Sequence, residues 1–209
     1  MPAPLTPDSF TLVRFAEPGA FAALAEPFML EREAANCLQL GLMPAVVDGR
    51  FEDVYQAVLE GPDGEVVMVA LQTPPNRLIL TDAVIAGSPV RGSDDAATAA
   101  VAEALVRGLL EPTDGQPVEL PGVLGPVALA EAFARAWGER NGVPVRRTVQ
   151  ERVYVCTEVT RVSGVPGAMV KAGLDQVDLL VDLVARFREE AQVLICTEAG
   201  GEGRNMQFC

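Results

Sequence analysis

Residues 65–73, EVVMVALQT, constrain this chain more than any other stretch. Successive side chains of a strand point to opposite faces of a sheet. An unbroken apolar run therefore has to be covered on both faces, which makes this a central strand. Just upstream, VYQAVLE (54–60) reads as a second strand, joined to the first through Gly61-Pro62-Asp63-Gly64, a strong hairpin turn. A hairpin of this kind needs a layer of helices on each side.

The rest of the chain offers those helices. TLVRF (11–15) reads as a short strand, and Pro18 suits the first turn of a helix over about 19–31, which Pro27 should kink or break. A second helical stretch, 31–43, carries Ala34, Ala35, Leu38, Leu42 and Met43 on one side and is closed by Pro44. RLILTD (77–82) is extended. Ser93 or Asp94 caps a helix reaching about Leu110, with Asp94, Asp95 and Glu103 early and Arg107 late, as the helix dipole prefers. Pro112 to Pro117 is loop. VELPGVLG (118–125) gives a short strand, and Pro126 opens a helix over 126–140 with Leu129, Phe133, Ala136 and Trp137 on one face. Asn141-Gly142 ends it. RRTVQERVYVCTEVT (146–160) alternates as a long strand, with Val149, Val153, Val155 and Val159 on one side. The order β, α, α, β, β, (β), α, β, α, β implies an α+β (mixed α/β) fold: a central mixed, mostly antiparallel sheet with helices on both faces.

Part of this pattern recurs. Residues 12–34 (LVRFAEPGAFAALAEPFMLEREA) align without a gap with 169–191 (MVKAGLDQVDLLVDLVARFREEA) at an offset of 157 (170 − 13), pairing Val13 with Val170 and Glu33 with Glu190. The repeat implies a first domain over 1–163, the strand-helix start of a truncated second domain over 164–191, and a tail over 192–209 in which VLIC reads as one strand and AGGEGRN as disordered. The helix at about 175–191 carries Leu174, Val177, Leu180, Val181, Val184 and Phe187 on an apolar face. With no second sheet to cover it, this face can fold back onto the first domain or pair with a second copy, and of the two a homodimer through residues 165–191 is favoured.

Composition removes several function classes. The formal net charge of −13 argues against nucleic acid and against an anionic membrane surface. No apolar run reaches the roughly 20 residues of a spanning helix. The N-terminus MPAPLTPDSF lacks the basic and apolar regions of a signal peptide, so a cytoplasmic protein is expected. There is no histidine, which removes Ser-His-Asp and Cys-His catalysis and the commonest zinc ligand. Cys37, Cys156, Cys196 and Cys209 form no C-x-x-C pair and read as reduced thiols, Cys37 and Cys156 in the core. No metal site is expected.

Four segments carry a resemblance: REAANCLQLGL (32–42), VALQTPPNRLIL (69–80), LPGVLGPVALAEAFARAW (120–137) and VPGAMVKAGLDQVDLLVDLVARFREEA (165–191). With the order of elements, the chain resembles the GNAT superfamily of acetyl-CoA-dependent N-acetyltransferases. More specifically, it looks like the amino-terminal GNAT-like domain of bacterial proteins with a second, catalytic GNAT domain. A GNAT domain holds the pyrophosphate of acetyl-CoA in a loop reading [R/Q]-x-x-G-x-[G/A] between its fourth strand and the next helix, on backbone N–H groups and the helix N-terminus. The matching place here is 85–95, and the resemblance assigns any acetyl-CoA contact to Arg91, Gly92 and Ser93. The spacing departs from the pattern. Pro89 lacks an N–H, and Asp94 and Asp95 already occupy the positive helix end, where a pyrophosphate would meet like charge.

Other candidates are weaker. Gly122-Val123-Leu124-Gly125 opens a helix, but no Lys or Arg stands near it in sequence, which favours a tight turn over an anion site. Tyr55 and Tyr154 are the only phenolic general acids, both in strands. Glu65 and Glu158 read as solvent-facing strand residues, Trp137 with Phe133 as a core pair, and Arg146-Arg147 as too short for a basic patch. Three readings stay open: an acetyltransferase-like binding or structural module, an active N-acetyltransferase with an atypical or dimer-assembled site, and an unrelated α+β small-molecule binder.

Overall fold

The computed structural model describes residues 5–90, 96–111, 120–158 and 171–190. The chain runs through β1 (Thr11–Arg14), α1 (Pro18–Leu30), α2 (Cys37–Val47), β2 (Tyr55–Glu60), β3 (Val66–Gln72), β4 (Leu78–Leu80), β5 (Val84–Ile85), β6 (Ser88–Pro89), α3 (Ala96–Leu110), β7 (Val123–Leu124), α4 (Val127–Asn141) and α5 (Val177–Glu190). The expected cap at Ser93 or Asp94, the loop at 112–117, the tail at 192–209, Cys196 and Cys209 lie outside the described residues. Two compact units divide the chain, Met1–Tyr154 and Val155–Cys209.

In the first unit the expected hairpin forms the middle of a five-stranded sheet ordered β1-β2-β3-β4-β7. Gly64 takes the left-handed conformation at φ +77°, open to glycine without steric cost. The Gly61 N–H donates to the Glu65 carbonyl at 2.9 Å and closes the turn. All neighbouring strands are antiparallel except β4 and β7, which run parallel and are linked through α3. The fold is thus α+β with a mixed sheet.

Strand alternation sorts the core into two layers. Val58, Val69 and Leu71 pack with Phe21, Ala25 and Met29 of α1 and Met43 and Val46 of α2. Leu59, Met68, Ala70, Leu78 and Leu80 pack on the other face with Val101, Leu105 and Leu109 of α3 and Leu129 and Phe133 of α4. The apolar run of β3 is covered on both sides, as its composition requires. Gly142 ends α4 in the left-handed conformation at φ +64° and donates its N–H to the Gly138 carbonyl.

Several expectations fail. Pro27 lies inside α1 without ending it, and Pro44 lies inside α2 instead of closing it. An interior proline costs about 3 kcal/mol, and the buried Met29, Met43 and Val46 beside the two prolines each return about 1.5–3 kcal/mol. The second helix also begins later than expected, at Cys37, because residues 31–36 are hydrogen-bonded turns. The buried Asn36 holds the junction by donating from Nδ2 to the Met29 carbonyl at 2.9 Å. Gln39, Met43 and Val46 become the buried side of α2, and Cys37 is turned out to solvent with Cys156. Finally, the long strand expected over 146–160 is not formed at 146–158, where the backbone is unpaired and exposed. Alternation alone does not make a strand; a hydrogen-bonding neighbour does.

In the second unit a 3-10 turn, Leu174–Gln176, leads into α5, close to the helix read from the sequence. Leu174, Val177, Leu180 and Val181 are all exposed.

Candidate functional site

The region matching the ligand loop begins where β4 ends. β4 pairs with β3 through Leu71↔Ile79 and Ala70↔Leu80, and with β7 through Leu78↔Val123 and Ile79↔Leu124. One residue on, the regular ladder stops. The Thr81 hydroxyl accepts the Val69 N–H at 3.0 Å and donates to the Asp82 carbonyl at 3.0 Å, while the Thr81 N–H still reaches the Val69 carbonyl at 3.1 Å. A side chain thus takes a backbone acceptor's place and turns the chain out of the sheet.

The chain then folds back as the β5–β6 hairpin, closed by the Val90 N–H on the Ala83 carbonyl at 2.8 Å. Its two turn residues, Ala86 and Gly87, have φ +50° and +73°, the signs a type I′ turn needs. The glycine at the start of the 85–95 stretch therefore serves a turn. The expected contact residues Arg91, Gly92 and Ser93, with Asp94 and Asp95, lie outside the described residues. In the first turn of α3, Thr98 is 1% exposed and its hydroxyl has no hydrogen-bond partner among the described residues. Gly125, just past β7, sits so close to β4 that a Cβ there would stand 3.0 Å from the Leu80 carbonyl oxygen.

One ion pair at this end of the sheet was not legible in the sequence. Arg32, in the turns between α1 and α2, meets Asp82 just beyond β4, with Nη1 and Oδ2 2.5 Å apart. The side chains are 30% and 20% exposed, so the pair is partly desolvated. A sequence separation of 50 hides it (82 − 32); only the packing of the α1–α2 junction over the β4 terminus brings the two charges together.

Tyr55 sits elsewhere. It pairs across the sheet with Gln72, whereas Thr81 is level with Val69. Three residues of strand separate the two levels, about 10 Å. Burial pushes the Tyr55 phenol up to about 12, against the pull of the Arg14 guanidinium, which lies 5.1 Å above its ring. The same guanidinium donates from Nη2 to the Gly108 and Leu109 carbonyls at 2.7 and 3.1 Å, satisfying the end of α3. Tyr55 and Arg14 thus join β1, β2 and α3, away from the end of β4.

The other candidates disperse. Tyr154 is 82% exposed. Glu65 is exposed in the hairpin turn, accepting the Asp63 N–H at 3.0 Å, and Glu158 is exposed. Phe133 and Trp137 stack at 5.9 Å between centroids, with Phe133 in the core beneath α3. Gly122 holds β4 by accepting the Leu78 N–H at 3.0 Å. A cation distant in sequence stands beside it in space: the Arg77 Cδ and Nε atoms come within 3.3 Å of where a Gly122 Cβ would lie. Arg147 is paired with Glu131. Among the described residues no three His, Cys, Asp or Glu side chains are grouped to hold a metal ion, and no helix is long and apolar enough to cross a membrane.

No family model, curated protein or solved structure matches this chain.

Proposed function

We propose that residues up to 154 form an acetyltransferase-like domain of the GNAT type that acts as a binding or structural module, with its ligand region at the end of β4. The observation that carries the reading is the one parallel strand pair, β4 with β7, connected through α3 in an otherwise antiparallel sheet. In chain order residues 81–90 follow the end of β4 on the way to α3, the order that acetyl-CoA binding in the family would need. The module reading draws on three further features. Gly87 is committed to a hairpin turn, Asp82 is paired with Arg32, and the buried phenol of Tyr55 is about 10 Å away along the sheet. In sequence, Asp94 and Asp95 add negative charge to the stretch that would have to meet a pyrophosphate.

Titration calorimetry with acetyl-CoA tests this. The expected result is no specific heat. Micromolar binding that Gly92→Glu abolishes would refute the module reading and favour an active N-acetyltransferase, for which the buried Thr98 hydroxyl would be the nearest polar group on α3.

A further inference from the structure

The segment that follows α4 carries a pattern the sheet does not use. Val145, Arg147, Val149, Glu151 and Val153 share one side of an extended chain. Outward from Val149 they are matched in size and opposite in charge: a valine at each end, an arginine on one arm and a glutamate on the other. Two copies laid antiparallel with Val149 on the axis would set Val145 opposite Val153 and Arg147 opposite Glu151, each twice, and Val149 opposite itself. Moving the axis to Arg147 or Glu151 would bring like charges face to face, and a one-residue slip would send the whole set to the other side. A parallel in-register pair would stack Arg147 on Arg147. Only the antiparallel register about Val149 satisfies the charges on this side. On the opposite side Thr148 meets Gln150, and Arg146 meets Arg152 in solvent, where salt screens the repulsion.

The structure leaves most of this side open to solvent. Val145, Val149 and Val153 are 51%, 49% and 58% exposed, and no strand pairs with residues 144–154 among the described residues. The start of the segment is tied to α4: the Val143 N–H donates to the Gly138 carbonyl at 3.1 Å, and Arg147 pairs with Glu131. A Val145 methyl lies 3.1 Å from where a Gly138 Cβ would stand. These ties hold residues 143–147 against α4. An isolated two-stranded ribbon is marginal in water, and α4 gives this one a surface to lie on.

We propose that residues 145–153 pair with the same residues of a second copy as an antiparallel ribbon about a two-fold axis at Val149. The surface is self-complementary, as a two-fold interface must be.

Sedimentation equilibrium of the full chain and two charge variants tests this. Wild type should dimerise. Arg147→Glu and Glu151→Arg each turn two opposite-charge pairs into two like-charge pairs and should weaken the dimer roughly tenfold to a hundredfold. Glu151→Arg does so while leaving the Arg147–Glu131 pair intact. An equimolar mixture of the two variants should form a heterodimer, because both pairs between positions 147 and 151 are then opposite in charge. Both positions are exposed, and circular dichroism will report the fold of each variant. A monomeric wild type, a dimer indifferent to both substitutions, as one held by the apolar face of α5 would be, or a mixture that stays monomeric would each overturn the proposal.

Discussion

Gly108 lies in the last turn of α3, where an exposed glycine would gain about 1 kcal/mol on replacement by alanine. Here the sign should reverse. A Cβ on Gly108 would stand 2.6 Å from both Cβ and Cδ2 of Leu12, and 3.2 Å from its Cγ. Carbon atoms rest at about 3.5–4.0 Å, so the gap must open by roughly 1 Å. The Leu12 Cδ2 can swing aside, but its Cβ moves only if β1 moves. β1 carries Arg14, whose Nη2 holds the Gly108 and Leu109 carbonyls, so the shift would also strain those bonds. Overpacking costs about 1–3 kcal/mol. Set against the helix gain and with the weakened Arg14 bonds added, Gly108→Ala should destabilise by about 1–2 kcal/mol. Urea denaturation reads this directly, and the melting temperature should fall by roughly 2–4 °C per kcal/mol. Leu12→Ala removes the Cδ2 part of the clash, so the double variant should lose less than the sum of the singles. A Gly108→Ala protein more stable than wild type, or a cycle with no coupling, would refute the close approach of α3 to β1.

Other residues give independent tests. Tyr55 should titrate near 12 by ultraviolet absorbance in a Tyr154→Phe background; because its folded value lies above the unfolded 10, its stabilising effect is complete below pH 10 and is lost at about 1.4 kcal/mol per pH unit between 10 and 12. Arg14→Met should move that titration higher still and lower stability, since it leaves the Gly108 and Leu109 carbonyls without their donor. Ala86→Gly should raise thermal stability by roughly 0.5–1 kcal/mol, because alanine at φ +50° is strained by more than glycine's added chain entropy costs. Asn36→Ala should cost about 0.5–1.5 kcal/mol in chemical denaturation by removing the side-chain bond to the Met29 carbonyl, which keeps the Arg32 N–H.

What the amino-acid order alone determined is what local chemistry can carry. The unbroken run of β3 required cover on two faces, and it has it in α1 and α2 on one side and α3 and α4 on the other. Gly61 to Gly64 set the hairpin, and Asn141-Gly142 set the end of α4, because turns and caps depend on the φ angles of one or two residues. The prolines of α1 and α2 misled for the same reason: their cost is local, but the burial that offsets it comes from the sheet beneath. Only tertiary structure joined Arg14 to carbonyls 94 and 95 residues away, or Arg32 to Asp82, since a charge does not name its partner in sequence. The segment at 146–158 marks the boundary most plainly. Its alternation states which side chains would share a face, but hydrogen bonds to a neighbouring chain make a strand, and within this unit the sheet ends at β7 without supplying them.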